Sequence, residues 1–117
     1  MTLLNAIAKA NELRPNTIRD EFKAQWVAEL EGDVAEMMGI GAPQFDYPSD
    51  ADLLMPAPHD FIYVYRLCAM IDAANEETTL YANDSVVFND AMQKAQSWWR
   101  RHNMPPHSDH NHIKGLW

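Results

Sequence analysis

The strongest hydrophobic pattern of the chain lies between residues 58 and 102, where apolar residues recur every three or four positions. That spacing predicts helices with one apolar face. The positions are Phe61, Val64, Tyr65, Cys68 and Ile71 in one helix and Phe88, Ala91, Met92, Ala95, Trp98 and Trp99 in the next. Ala82-Asn83-Asp84-Ser85 lies between them and favours a turn and a new N-cap. The pattern predicts a central αα-hairpin.

The sequence determines the ends of the two hairpin helices only in part. Pro58 suits the first turn of the earlier helix, where a missing N–H costs nothing. The apolar period weakens at residues 75–79, so this helix either ends there or continues to Tyr81. The later helix is predicted to begin near Ser85 and to end near His102, with basic residues in its last turn, where the helix dipole favours them.

Two further helices are predicted upstream. The first covers residues 2–13 with Thr2 as N-cap, and Pro15 ends it because the residue before a proline leaves the α region. The second begins at Thr17, can kink or end at Gly32, and is stopped by Gly39 and Gly41. Its apolar residues step by four: Ile18, Phe22, Trp26, Leu30, Val34 and Met38. We expect this stripe to pack on the hairpin, so that the chain forms an all-α small helical bundle.

Residues 42–57 show neither a helical nor a strand period and contain three prolines. They are predicted to form a long ordered loop, which in a small domain usually serves a partner or packs across its own helices. Both alternatives stay open. Its apolar anchors are Phe45, Tyr47, Leu53, Leu54 and Met55.

Residues 104–117 form a different kind of segment from the helices before them. Pro105 and Pro106 prevent the last helix from continuing, and residues 107–112 are too polar to build a core. Ile113, Leu116 and Trp117 can anchor in a groove on another protein. We therefore divide the chain into a helical domain, residues 1–103, and an extended C-terminal arm, residues 104–117.

Composition narrows the function classes. A chain of 117 residues with 47% hydrophobic residues fits one globular domain. The one cysteine, Cys68, excludes an internal disulfide and is expected to be buried. A net charge of -8 argues against a DNA-gripping surface, although DNA can pass an acidic wall without adhering. Neither a signal peptide nor a membrane span is expected.

The sequence offers only weak signals for catalytic or metal-binding residues. His107, His110 and His112, with Asp109, offer metal ligands, but their spacing matches no closed zinc site, and a polar interaction tail is the preferred interpretation. His59-Asp60 can act as an acid–base pair or simply open a helix. Glu29, Glu31, Asp33 and Glu36 are expected to form a solvated helix face. We predict no enzyme, no cofactor and no bound metal.

Two blocks of sequence together resemble the small head–tail connector, or adaptor, proteins of long-tailed phages. They are LRPNTIRDEFKAQWVAELEGDV, residues 13–34, and DADLLMPAPHDFIYVYRLCAMIDAANEETTLYANDSVVFNDAMQKAQSWWRRHNMP, residues 50–105. The similar features are a tryptophan followed by Glu-Leu-Glu-Gly, then Leu-Leu-x-Pro-x-Pro-His-Asp before a tyrosine-rich helix, then Arg-Arg-x-x-Met-Pro. Their order along nearly the whole chain carries the resemblance.

The resemblance implies a virion structural protein that forms a homo-oligomeric ring of about twelve copies beneath the portal protein. Such a ring extends the DNA channel without sequence-specific binding and offers a docking face to a tail-side neck or stopper protein. The implied location is the virion neck, after synthesis in the host cytoplasm, with no membrane contact.

The resemblance also implies which residues meet partners. The arm is expected to embrace the portal through Met104, Pro105, Pro106, His107, His110, His112, Ile113, Leu116 and Trp117. The loop residues Phe45, Tyr47, Leu53 and Leu54 are candidates for contacts with a neighbouring subunit or the tail. Two other classes compete: a small soluble helical protein-binding module or regulator, and a metal-dependent enzyme built on the arm histidines. Oligomeric size separates a ring from a monomeric or dimeric module.

Overall fold

The structure is a computed structural model that describes residues 1–103. It contains four helices, α1 (Leu3–Leu13), α2 (Asp20–Met38), α3 (Ile62–Ala74) and α4 (Thr78–Asn103). The all-α prediction is confirmed. None of the helices in this part of the chain is long and apolar enough to span a lipid bilayer.

The ends of α1 follow its local signals. Thr2 is the N-cap, and its Oγ1 accepts a hydrogen bond from the backbone N–H of Asn5 at 3.2 Å. The helix ends at Leu13, two residues before Pro15, as the sequence predicts. Residues Leu3, Ala6, Ile7 and Ala10 face the core.

Helix α2 differs from its prediction at its start and in its buried face. It begins at Asp20 rather than at a Thr17 cap, and it runs through Gly32 without a break to Gly39, whose φ of 74° ends it. Phe22 is 42% exposed and Trp26 is half-buried, whereas Ala24, Val27, Leu30, Glu31, Val34 and Ala35 are buried. A step of four residues turns by about 400°, so a stripe with that step drifts around the helix. The expected burial of Phe22 is therefore wrong.

Helix α3 lies at the centre and packs against the other three helices. Ile62, Tyr63, Val64, Leu67, Cys68 and Ile71 are each no more than 4% exposed. A helix that is covered on several sides has no single apolar face. Phe61 of the predicted stripe is exposed because it precedes the helix, as its N-cap residue. Pro58 also precedes α3 rather than lying in its first turn. Cys68 is buried as predicted, and burial raises the pKa of its thiol to about 11.

The turn between α3 and α4 lies at residues 75–77, not at residues 82–85. Glu76 has a φ of 61° there, in the left-handed region. The open question about the end of α3 is therefore settled at Ala74, where the apolar period weakens. Helix α4 continues through Ala82-Asn83-Asp84-Ser85, because these residue types permit a helix when tertiary contacts support it. One such contact, from Arg14 to Asp84, is described below.

The long loop packs across the domain's own helices, which was one of its two predicted alternatives. The backbone N–H of Leu3 donates to the Ala51 carbonyl at 2.8 Å, and that of Leu53 donates to the Met1 carbonyl at 3.1 Å. Met55 is fully buried. The loop is thereby fixed against the start of α1 and carries its side chains to defined places.

Candidate functional site

The main predicted contact segment, the C-terminal arm, lies outside the described residues. Its portal-binding assignments therefore stay predictions. They concern Met104, Pro105, Pro106, His107, His110, His112, Ile113, Leu116 and Trp117. The surfaces that the structure does describe are the loop and the helices α2 and α4.

The loop residues predicted to contact a neighbour have different environments. Phe45 and Tyr47 are half-buried and line an open groove of about 450 Å³ between the loop and α2. Leu54 is half-buried against the core, and Leu53 is only 8% exposed. The exposed parts of Phe45 and Tyr47 are thus the parts of the loop that are best placed to meet another protein.

A buried carboxylate, Glu31, holds the loop to the helices. Its Oε1 accepts a hydrogen bond from the Tyr63 hydroxyl at 2.5 Å, and its Oε2 accepts one from the backbone N–H of Leu54 at 2.7 Å. The Tyr63 hydroxyl in turn accepts a hydrogen bond from the N–H of Met55 at 2.9 Å. These bonds connect α2, α3 and the loop at a fully buried point.

The electrostatics of this network follow from its burial. Removal from water raises the pKa of Glu31, while the two hydrogen bonds that it accepts act in the opposite direction. Burial and the neighbouring Glu31 raise the pKa of Tyr63, so the phenol keeps its proton and donates it. The expectation that Glu31 belongs to a solvated face is wrong. Its spacing of four residues from Val27 and three from Val34 is the signal that places it on the buried face.

A second polar cluster joins the end of α1 to the hairpin helices. Arg14 Nε donates to the Asp72 carboxylate at 3.3 Å, and Arg14 Nη2 donates to both Asp84 oxygens at 3.0 Å. Asp72 lies on α3 and its side chain is 3% exposed. Burial, together with a hydrogen bond to the Asp84 carboxyl, raises the pKa of Asp72 to about 6, although Arg14 acts in the opposite direction.

The raised pKa of Asp72 predicts a pH dependence of stability. Between roughly pH 4 and pH 6 the unfolded chain releases this proton while the folded domain retains it. The free energy of unfolding should therefore fall by about 1–3 kcal/mol as the pH rises through that window, and level off above it. Urea unfolding of the wild type and of Asp72→Asn checks this, because the difference between the two curves should contain the contribution of Asp72.

A matched control separates Asp72 from the other carboxylates. The exposed Asp33→Asn substitution should keep the wild-type pH dependence, because the Asp33 side chain lies outside the cluster. Equal slopes in the wild type and in Asp72→Asn would show that Asp72 does not titrate in this range.

The last turns of α4 combine aromatic and basic side chains. The Trp98 ring lies 5.2 Å from the His59 ring and 5.2 Å from the His102 ring, and it packs against the core. Trp99, whose ring is 6.3 Å from that of Trp98, is half-buried outside this cluster. Arg101 is exposed beside them. Tryptophan and arginine are enriched in protein interfaces, so this end of α4 is a candidate contact surface.

The first half of α4 exposes a group of apolar side chains. Their exposed fractions are 39% for Leu80, 44% for Tyr81, 69% for Val86 and 45% for Val87. Leu80 and Val87 lie seven residues apart on the same side of the helix, and neighbouring exposed apolar side chains often mark a protein contact. Together with the aromatic end, they make α4 the helix with the most surface suited to partners.

The residues considered for catalysis or metal binding do not come together in one site within residues 1–103. His59 stacks on Trp98, whereas the Asp60 carboxylate accepts a hydrogen bond from the Met1 nitrogen at 3.4 Å. Within residues 1–103, no group of three or more His, Cys, Asp and Glu side chains is arranged to hold a metal ion. The candidate ligands His107, Asp109, His110 and His112 lie outside this range.

Comparisons with known proteins identify no family for this chain. No protein-family model matches the sequence, and searches of curated proteins and of solved structures found no match.

Proposed function

We propose that this protein is a head–tail connector of a long-tailed phage. Copies of it form a ring of about twelve subunits beneath the portal, extend the DNA channel and offer a docking face to a tail-side neck or stopper protein. The helical bundle built on the α3–α4 hairpin is the ring-forming domain, and residues 104–117 are the arm that grips the portal. The protein acts through contacts rather than catalysis, and it resides in the virion neck.

The observation that carries this proposal is the Glu31 network. The two sequence blocks that resemble the connector family are separated along the chain, yet hydrogen bonds join them at one buried point. Glu31 belongs to the Glu-Leu-Glu-Gly segment, and Leu54 belongs to the Leu-Leu-x-Pro-x-Pro segment. Tyr63 lies at the start of the tyrosine-rich helix. The two similar blocks therefore contain residues that bind each other in the folded domain, which supports treating the two blocks as parts of one structural unit.

The surface properties are consistent with this role. The apolar group on α4 and the Trp99–Arg101 segment offer contacts of the kind found between subunits. The net charge of -8 keeps DNA from adhering to a channel wall. Both features suit a protein that assembles around a passing nucleic acid.

Co-sedimentation with the portal protein of the same genome tests the proposal. The protein should sediment with portal particles, and electron microscopy should show a ring of density added beneath them. A portal from an unrelated phage is the control and should bind nothing. A folded protein, as judged by circular dichroism, that fails to sediment with its own portal would contradict the proposal.

A further inference from the structure

Charge is divided unevenly along this acidic chain. Residues 1–93 contain sixteen acidic and five basic side chains, a formal charge of -11. Residues 94–103 contain three basic side chains, Lys94, Arg100 and Arg101, and no acidic one. The subunit is therefore an acidic body that carries one local cluster of positive charge, at the end of α4.

This positive cluster lies at the C-terminal end of α4. Helix α4 has 26 residues and α3 has 13, so α4 is about 39 Å long and α3 about 20 Å. Since α3 ends and α4 begins at the same turn, the last turns of α4 extend past the start of α3. Arg100 and Arg101 are exposed there, beside the half-buried Trp98 and Trp99. Lys94, one turn earlier, is already paired with Asp90 at 3.1 Å. We call residues 98–101 the cationic end.

The outer surface of α2 has the opposite charge. Glu21, Glu29, Asp33 and Glu36 are exposed on it, opposite the buried Glu31. Within residues 1–103, no basic side chain lies within salt-bridge distance of Glu29, Asp33 or Glu36. Phe22 is 42% exposed among them. Glu21 and Phe22 are both in contact with Arg19, whose Nε lies 3.9 Å from Glu21 and whose guanidinium lies 5.0 Å from the Phe22 ring. We call Glu29, Asp33 and Glu36, together with the exposed part of Phe22, the acidic face.

We propose that the cationic end of one subunit docks on the acidic face of α2 in the next copy of this chain. Opposite charges on the two surfaces favour the encounter and fix its orientation. The exposed Phe22 ring on one surface and the half-buried Trp99 ring on the other supply apolar area that ion pairs alone do not provide. The occupant is a second copy rather than a nucleic acid, because the acidic body would repel a polyanion while presenting the complementary surface itself.

The contact joins two different surfaces, so it is heterologous. Such contacts repeat from copy to copy and close into a ring when the rotation permits. This inference rests on the proposed function and deepens it, because it names the contact that would connect neighbouring subunits of the ring. It also reconciles a net charge of -8 with self-association, since the attraction acts between the two local surfaces.

The contact is tested by reversing the charge of each surface in turn and then mixing the two variants. Sedimentation in the absence of the portal measures self-association. Arg100→Glu/Arg101→Glu should lower self-association about tenfold or more, and Asp33→Lys/Glu36→Lys should do the same. An equal mixture of the two variants should recover wild-type association, because each reversed surface then meets a reversed partner. Added salt should weaken the wild-type association by screening.

Matched variants control for net charge. Asn5→Glu/Lys9→Glu/Thr79→Glu lowers the total charge by four, as the arginine pair does, at positions outside both surfaces. Glu12→Lys/Glu77→Lys matches the acidic pair. Both variants should associate like the wild type. The inference is overturned if the wild type does not self-associate, if either reversed variant associates normally, or if mixing fails to rescue. The self-association assay uses no portal, so it is independent of the portal co-sedimentation assay. If the protein binds its portal normally but gives any of these results, this subunit contact is wrong and the connector proposal is unaffected.

Discussion

Replacing Glu31 by alanine should lower the free energy of unfolding by about 2–5 kcal/mol. The substitution leaves two buried donors, the Tyr63 hydroxyl and the Leu54 N–H, without their acceptor, and each unpaired buried group costs about 1–3 kcal/mol. Glu31→Gln should lose less, since its amide oxygen can still accept from one of them. Urea unfolding followed by circular dichroism measures both effects.

The same helix provides the control. Glu29→Ala removes a carboxylate two residues away whose side chain is exposed, so it should change the free energy of unfolding by no more than about 0.5 kcal/mol. If Glu31→Ala were as mild as Glu29→Ala, the Glu31 network would not hold the two sequence blocks together, and the main structural support for the connector proposal would be lost.

Deleting residues 114–117 should abolish portal attachment or weaken it by about 30-fold to 1000-fold. The deletion removes Leu116 and Trp117, and a buried tryptophan at an interface often contributes 2–4 kcal/mol. The stability of the subunit should stay nearly unchanged, because the core described here is built from residues 3–95. Portal co-sedimentation and thermal unfolding measure the two quantities.

Lys114→Ala is the control for the arm deletion, because it keeps the apolar tip and should preserve most of the portal binding. Loss of folding in the truncated protein would show that the arm belongs to the domain core. Full portal binding by a truncated, folded protein would show that the tip is not the anchor.

Local signals predicted the parts of the fold that depend on neighbouring residues. The Thr2 cap and Pro15 place the ends of α1, and Gly39 ends α2, because each acts within a turn of its own position. The turn between α3 and α4 was misplaced for the opposite reason. Turn-forming residues at 83–85 remain helical while Asp84 binds Arg14, which is 70 residues away along the chain.

The buried carboxylates of the candidate site also depend on contacts between residues that are distant in the sequence. The spacing of Glu31 from Val27 and Val34 is compatible with burial, but the hydrogen-bond partners that make burial of Glu31 and Asp72 affordable, Tyr63 and Arg14, are brought beside them only by the fold. Sequence patterns assign charged residues to the surface by default, since unpaired buried charges are costly. By contrast, the loop aromatics Phe45 and Tyr47 were singled out from the sequence by residue type, and their role in a contact stays a prediction.

The mass of the complete portal complex tests the central claim most directly. Native mass spectrometry of the portal bound to this protein should show about twelve added copies, in a number that matches the symmetry of the portal. A portal that carries one or two copies, or none, while the protein remains a folded monomer or dimer, would contradict the connector account and favour a small helical binding module.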